Sequence, residues 1–118
     1  SQRRKNALIY MKELDRKFIF FNDEKKNEFN TYHTFVVQVR FRNKLRKYLL
    51  DKGIATSIHY PVPIHLQPAS KYLGHKIGDF KTTETQSQRI LTLPVNENLS
   101  SNQIKYICRC VNKFYVKN

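Results

Sequence analysis

The sequence predicts an α+β domain: a short, mostly antiparallel sheet with helices packed on it. Three observations carry this. Residues 3–17 and 99–114 place apolar side chains at helical spacing. The stretch "TYHTFVVQVRF" at 31–41 is dense in β-branched and aromatic residues and alternates as a strand does. The full order reads helix, strand, helix, strand, irregular segment, helix, strand, helix, which suggests a small sheet with helices on one side.

The first helix, 3–17, has Ala7, Leu8, Met11 and Leu14 as its expected buried stripe. "FIFF" at 18–21 is a short apolar run suited to an edge strand, and "NDEKKNEFN" at 22–30 is a polar, exposed loop. In the strand 31–41, His33, Phe35, Val37 and Val39 share one face, and Tyr32, Thr34, Val36, Gln38 and Arg40 the other. Residues 43–53 read as a helix with Asn43 as cap, Leu45, Tyr48 and Leu49 toward the core, and Gly53 just past its end. "IATSIHY" at 54–60 reads as a second strand, stopped near Pro61, which cannot donate to a ladder. Residues 67–74 hold a helical turn ended by Gly74, and 80–91 another helix with Thr83 and Gln86 at capping-box spacing. "ILTLP" at 90–94 is a third strand. The closing helix has Ser100 and Gln103 as its capping box and Ile104, Ile107, Cys108, Val111 and Phe114 as its stripe.

At 118 residues the chain suits one modest domain, 1–118, able to bury about two-thirds of its unfolded surface. Apolar residues make up 40%, too many for a disordered tail. No apolar run approaches the ~18 residues of a membrane span, and no membrane partner is expected. The chain opens on Ser rather than Met, which points to a fragment or a processed product. Cys108 and Cys110, two apart on a helix, point to nearly opposite faces, so they suit neither a mutual disulfide nor a shared metal. Core or surface thiols in a reducing cytoplasm are expected. The net charge of +13 points to polyanions: nucleic acid, anionic membrane or phosphorylated small molecules. Against a dedicated patch, the basic residues are spread along the chain among Asn and Ile.

The most informative stretch is "IHYPVPIHLQP", residues 58–68, with two histidines and three prolines. Each proline fixes φ and biases its predecessor toward extended geometry, so Pro61-Val62-Pro63 is a stiff strut. A stiff segment presents side chains at little entropic cost to binding. His59, at a strand end, and His65, beyond the strut, could donate to phosphate or sugar oxygens or exchange protons near neutrality. Tyr60 adds a hydroxyl and a ring face, and Gln67 an amide that both donates and accepts. The same residues could equally pack a strand end and shape a loop. A metal site would need further ligands, and His33 and His75 are not at motif spacing. There is no P-loop and no nucleophile elbow. Read from the residues alone, this is a binding domain rather than a complete enzyme.

"GIATSIHYPVPIHLQPASKYLG", followed by "GDF", "ILTLP" and the "IKYI" helix, resembles the C-terminal part of the DegT/DnrJ/EryC1/StrS sugar aminotransferases, as do "RRKNALIYMKEL" and "YHTFVVQVR" in order and spacing. The resemblance implies the small C-terminal domain of a type I aminotransferase fold. It further implies an enzyme dependent on pyridoxal 5'-phosphate that transfers an amino group, usually from glutamate, to a keto sugar on a nucleotide diphosphate. The "HYPxPxHLQ" form is similar to members acting at C3 of thymidine-linked 6-deoxy sugars. The Schiff-base lysine and most of the cofactor pocket lie, in such enzymes, in a large domain that this sequence lacks. No catalytic, cofactor-binding or metal residue is therefore assigned, no cofactor is expected on this chain, and the chain alone is expected to be inactive. The resemblance implies His33, His59, Tyr60 and His65 as substrate-site residues and a homodimer with its site at the subunit interface. The alternative is a free-standing basic module that lays "RFRNKLRKYLLDK" (40–52) on nucleic acid, with Tyr and Phe for stacking; nucleic acid is not a partner on the aminotransferase reading.

Overall fold

The structure, a computed structural model, describes residues 1–117. Helix α1 spans Gln2–Glu13 and starts at Ser1, whose hydroxyl accepts from the Arg4 amide. Strand β1 (Ile19–Phe20) and strand β2 (Phe35–Val39) precede helix α2 (Arg42–Asp51). Two 3-10 turns, Ile64–Leu66 and Pro68–Leu73, lead into helix α3 (Lys81–Arg89), strand β3 (Ile90–Leu93) and helix α4 (Ser101–Lys117). The sheet has the order β1-β2-β3 and is antiparallel throughout, with Ile19 opposite Val39, Phe35 opposite Leu93 and Val37 opposite Leu91.

Alternation builds the core. Phe35, Val37 and Val39 point to one side with Leu91 and Leu93, and all are buried. Helices α1 and α4 pack on each other, and α2 packs against α4 and β3. The Tyr10 ring stacks on Phe35 at 4.9 Å between centroids, and its hydroxyl donates to Pro94 O at 2.5 Å. The expected stripe of α4 is buried in full, and its capping box closes reciprocally between Ser100 and Gln103.

Several expectations are corrected. Helix α1 ends at Glu13 rather than Lys17, and its buried face is Asn6, Ala7 and Tyr10; Leu8 is exposed and Met11 only half-buried. Asn6 goes inside because its amide donates to Asn96 O and Leu99 O, which no hydropathy pattern reveals. The central strand is only 35–39. Tyr32 sits before it at φ 52, so it leaves the alternation and packs its ring near Phe35 at 6.3 Å, while His33 turns outward. Asn43 does not cap α2. Phe41, in the left-handed region, precedes the helix, and Asn43 lies inside it, accepting from Arg42 Nε. Gly53 follows α2 at φ +82, as expected. The strand expected at 54–60 reduces to one bridge, Ser57 to Thr92, because the prolines beyond it remove ladder donors. Thr83 and Gln86 form no capping box on α3; Glu84 serves the amide of Phe80 instead. Cys108 and Cys110 are both free and buried.

Helix α3 departs from the expected single helical layer. It runs directly into β3 and touches β2, and it shares a groove with Gln38 and Phe20, which alternate with the core residues of the sheet. The Pro-rich segment lies along this helix, where Tyr60, Val62 and Ile64 share a pocket with Thr83, Gln86 and Ile90.

Candidate functional site

The bridge from Ser57 to Thr92 fixes where the strut begins, through amide–carbonyl bonds of 3.2 and 2.7 Å in the two directions. Two residues on, His59 Nδ1 and Thr92 Oγ1 share a hydrogen bond of 3.0 Å. The imidazole is therefore held to β3 while the residue itself remains exposed. The peptide bond from His59 to Tyr60 is cis, and the two rings meet edge to face at 5.6 Å. Tyr60 is 69% exposed. The strut is tied back on itself where the Gln67 amide donates to Val62 O at 3.1 Å. Between strut and α3 lies a shallow pocket of about 180 Å³, with Tyr60, Val62, Ile64 and Gln67 on one side and Thr83 and Gln86 on the other.

His65 is placed differently. It is 8% exposed, and its Nε2–H donates to the Glu84 carboxylate at 3.2 Å. The Phe80 ring stands edge-on to it at 4.8 Å, and His75 lies on the same ring at 5.0 Å. Glu84 also accepts from the amides of Gly78 and Phe80. The Gly78 amide above all, then Phe80 and His65, hold this carboxyl below the ordinary glutamate value, against the opposing effect of burial. Glu84 thus ties His65, the loop before α3 and α3 itself into one unit.

His33 is exposed at the start of β2. The Arg3 guanidinium donates to its carbonyl at 3.1 Å and lies 3.3 Å from its Nδ1, while Arg3 Nε pairs with Glu97 at 2.7 Å. Of the four sequence-derived site residues, the fold sets His59 and Tyr60 side by side and seats His65 at the strut's far end. Hydrogen bonding engages His33 with α1 instead. The sequence reading missed Thr92 and Glu84. Thr92 reads only as a strand residue; the one signal for Glu84 is an acid in the first turn of a helix, where free amides favour it. The basic face expected of 40–52 is also not free throughout, since the Arg42 guanidinium donates to Ser87 O and Ile90 O. No helix is long and apolar enough to cross a membrane among the described residues.

The domain is an antiparallel α+β unit that carries a proline-stiffened segment with Tyr60 exposed and the His59 imidazole bonded to Thr92. The chain belongs to the DegT/DnrJ/EryC1/StrS aminotransferase family, whose model matches residues 1–112. It is 31% identical over 117 residues to a pleiotropic regulatory protein of Geobacillus stearothermophilus, covering 97% of this chain and 32% of that protein. It is 28% identical over 113 residues to a dTDP-3-amino-3,6-dideoxy-alpha-D-galactopyranose transaminase of Aneurinibacillus thermoaerophilus, covering 96% and 31% of the two. Its fold matches S. venezuelae DesV, solved in complex with a ketimine intermediate, with TM-score 0.89 and 28% identity over 96% of this chain and 31% of DesV. The chain thus spans about a third of the length of the relatives it matches, and it has the architecture expected of part of a type I aminotransferase fold.

Proposed function

We propose that residues 1–118 form the small C-terminal domain of a pyridoxal-phosphate-dependent, cytoplasmic and homodimeric aminotransferase. It transfers an amino group from glutamate to a keto sugar on a nucleotide diphosphate, at C3 of a 6-deoxy sugar. The observation that carries this reading is the pairing of an exposed Tyr60 with a His59 anchored to Thr92, on a segment whose backbone the prolines fix. The transaminase from Aneurinibacillus thermoaerophilus supports the choice of sugar.

The residues present do not fit the cofactor. The pocket beside the strut is lined by no lysine among the described residues, so nothing there can form a Schiff base. On this reading the cofactor and its lysine belong to another part of the enzyme, and no chemical step is assigned to this chain. Its own residues bind, orient and cover the substrate. His59 and Tyr60 meet the sugar nucleotide, and His65, held by Glu84, fixes the far end of the strut; His33, bound to Arg3 of α1, stands apart from them. The exposed Ile64, Tyr72, Leu73 and Ile77 form the face on which the remainder of the enzyme packs and excludes water.

The test is amine transfer from glutamate to a nucleotide-linked keto sugar by the full-length enzyme, with Tyr60→Ala alongside. The expected result is transfer by the native enzyme and a KM for the sugar nucleotide raised about tenfold in the variant, the scale of one lost hydrogen bond to a charged group. Tyr60 is exposed, so thermal stability should barely move. Absence of transfer, or an unchanged KM in Tyr60→Ala, would overturn the reading.

A further inference from the structure

Strand β3 holds the strut through one residue. Thr92 exchanges both backbone bonds with Ser57, at 2.7 and 3.2 Å, and its Oγ1 lies 3.0 Å from His59 Nδ1. Thr92 alternates with the core residues Leu91 and Leu93, so its side chain lies on the other face of the sheet, yet it is only 9% exposed. Val36, opposite it on β2, is apolar and offers its side chain no partner. Threonine is stiff about its first side-chain torsion, and here its backbone is pinned as well.

A hydroxyl this buried needs an acceptor for its own proton. Among the described residues the Thr92 hydroxyl has one partner, the His59 ring. If Nδ1 carried the ring proton, the imidazole would donate to Oγ1 and the hydroxyl proton would have no acceptor. If the hydroxyl donates, Nδ1 accepts and both groups are satisfied. A neutral imidazole carries one N–H, so its proton then sits on Nε2. Nε2 has no partner among the described residues, and His59 is exposed. His65 differs: its Nε2–H is spent on Glu84 inside the domain. His59 is therefore the histidine of the strut with a donor left to offer.

We propose that Thr92 is a positioning residue: its hydroxyl commits His59 to the Nε2–H tautomer and makes the ring's open edge a donor. The ligand atom that meets it is an oxygen acceptor, such as a phosphate, hydroxyl or keto oxygen. A protonated amine is disfavoured there, because donor would face donor. The tautomer follows from hydrogen bonding alone; the contact with ligand rests on the aminotransferase reading.

The test is nuclear magnetic resonance of the full-length enzyme, isotopically labelled at the histidine nitrogens, at mildly alkaline pH where imidazole is neutral. His59 is assigned by the signals lost in His59→Gln. Nε2 should resonate as an N–H nitrogen and Nδ1 as a bare one. Thr92→Val keeps the branched shape and removes the hydroxyl; the two shifts should move toward each other as the ring samples both tautomers. Thr92→Ser should restore the native shifts. An Nδ1–H ring in the native enzyme, or unmoved shifts in Thr92→Val, would overturn the proposal. Calorimetry with thymidine diphosphate glucose then reads the contact. Thr92→Val should bind it roughly fivefold more weakly, the scale of one hydrogen bond, and Thr92→Ser as tightly as the native enzyme. Equal affinity in Thr92→Val would overturn the positioning role. The nitrogen signals are read without substrate, so the expected shifts with no amine transfer would support the tautomer and overturn the aminotransferase reading.

Discussion

Replacing Asn6 is the sharpest test of how this fold is held. Asn6 is fully buried on α1; its Nδ2 donates to Asn96 O at 3.0 Å and Leu99 O at 3.1 Å, and its Oδ1 accepts from Gln2 at 2.8 Å. These bonds hold the turn between β3 and α4 onto the first helix. In Asn6→Ala both carbonyls lose their donor. Asn96 is exposed and Leu99 half-buried, so water can reach the carbonyls and each lost bond costs about 1 kcal/mol, roughly 2 kcal/mol for the pair. For a chain of this length that lowers Tm by about 5–10 °C. Asn6→Asp keeps the shape but points a carboxylate at two carbonyls, and at neutral pH it should melt no higher than Asn6→Ala. Burial raises its folded pKa above the unfolded value of about 3.9. Its penalty is therefore absent below that unfolded value and grows as pH rises through the folded one. Thermal melts followed by circular dichroism at neutral and acid pH read both effects. If Asn6→Ala melts within about 2 °C of the native protein, the carbonyls do not depend on Asn6 and the reasoning fails.

Three further outcomes are expected. The Glu84 carboxyl is held low mainly by the Gly78 amide, so its contribution to stability is present above its unfolded pKa and lost as pH falls through the lowered folded one; urea midpoints across acid pH should show a step that Glu84→Gln lacks, and a step of equal size in the variant assigns it elsewhere. Burial pushes the Cys108 thiol up to about 12, so an aromatic disulfide reagent at mildly alkaline pH should label it only as fast as the protein opens; rapid native labelling would contradict the packing. Ser100→Ala removes one half of the reciprocal cap on α4 and should cost about 1 kcal/mol in chemical denaturation, with no loss if the helix is held by its buried stripe alone.

Legibility in the sequence followed the strength of local signals. Helix α4 is readable because its stripe, its cap and its burial all agree. Strand β3 and the glycine stop after α2 are readable for the same reason. The α1 face is misread because Asn6 is polar by type and inside by hydrogen bonding, while Leu8 is apolar by type and faces solvent. The strand at 54–60 is misread because composition allows pairing but not how far a partner extends; β3 offers Ser57 a single bridge. The site shows the same division. His59 and Tyr60 stand out beside the prolines, whereas Thr92 and Glu84, which hold the histidines, are distant in sequence and ordinary in type.

The sequence by itself determined the class of fold, the family and the stiff segment that presents Tyr60. The fold class rests on periodicity, the stiff segment on proline geometry, and the family on the resemblance carried by residues 53–74 and the motifs flanking them, all of which are local. Tertiary structure alone decided which histidine is exposed and which is buried, how Glu84 binds three separate groups, and that Thr92 meets His59. Those outcomes depend on chain crossings that bring residues tens of positions apart within hydrogen-bonding or Coulombic range, and no window along the sequence contains them.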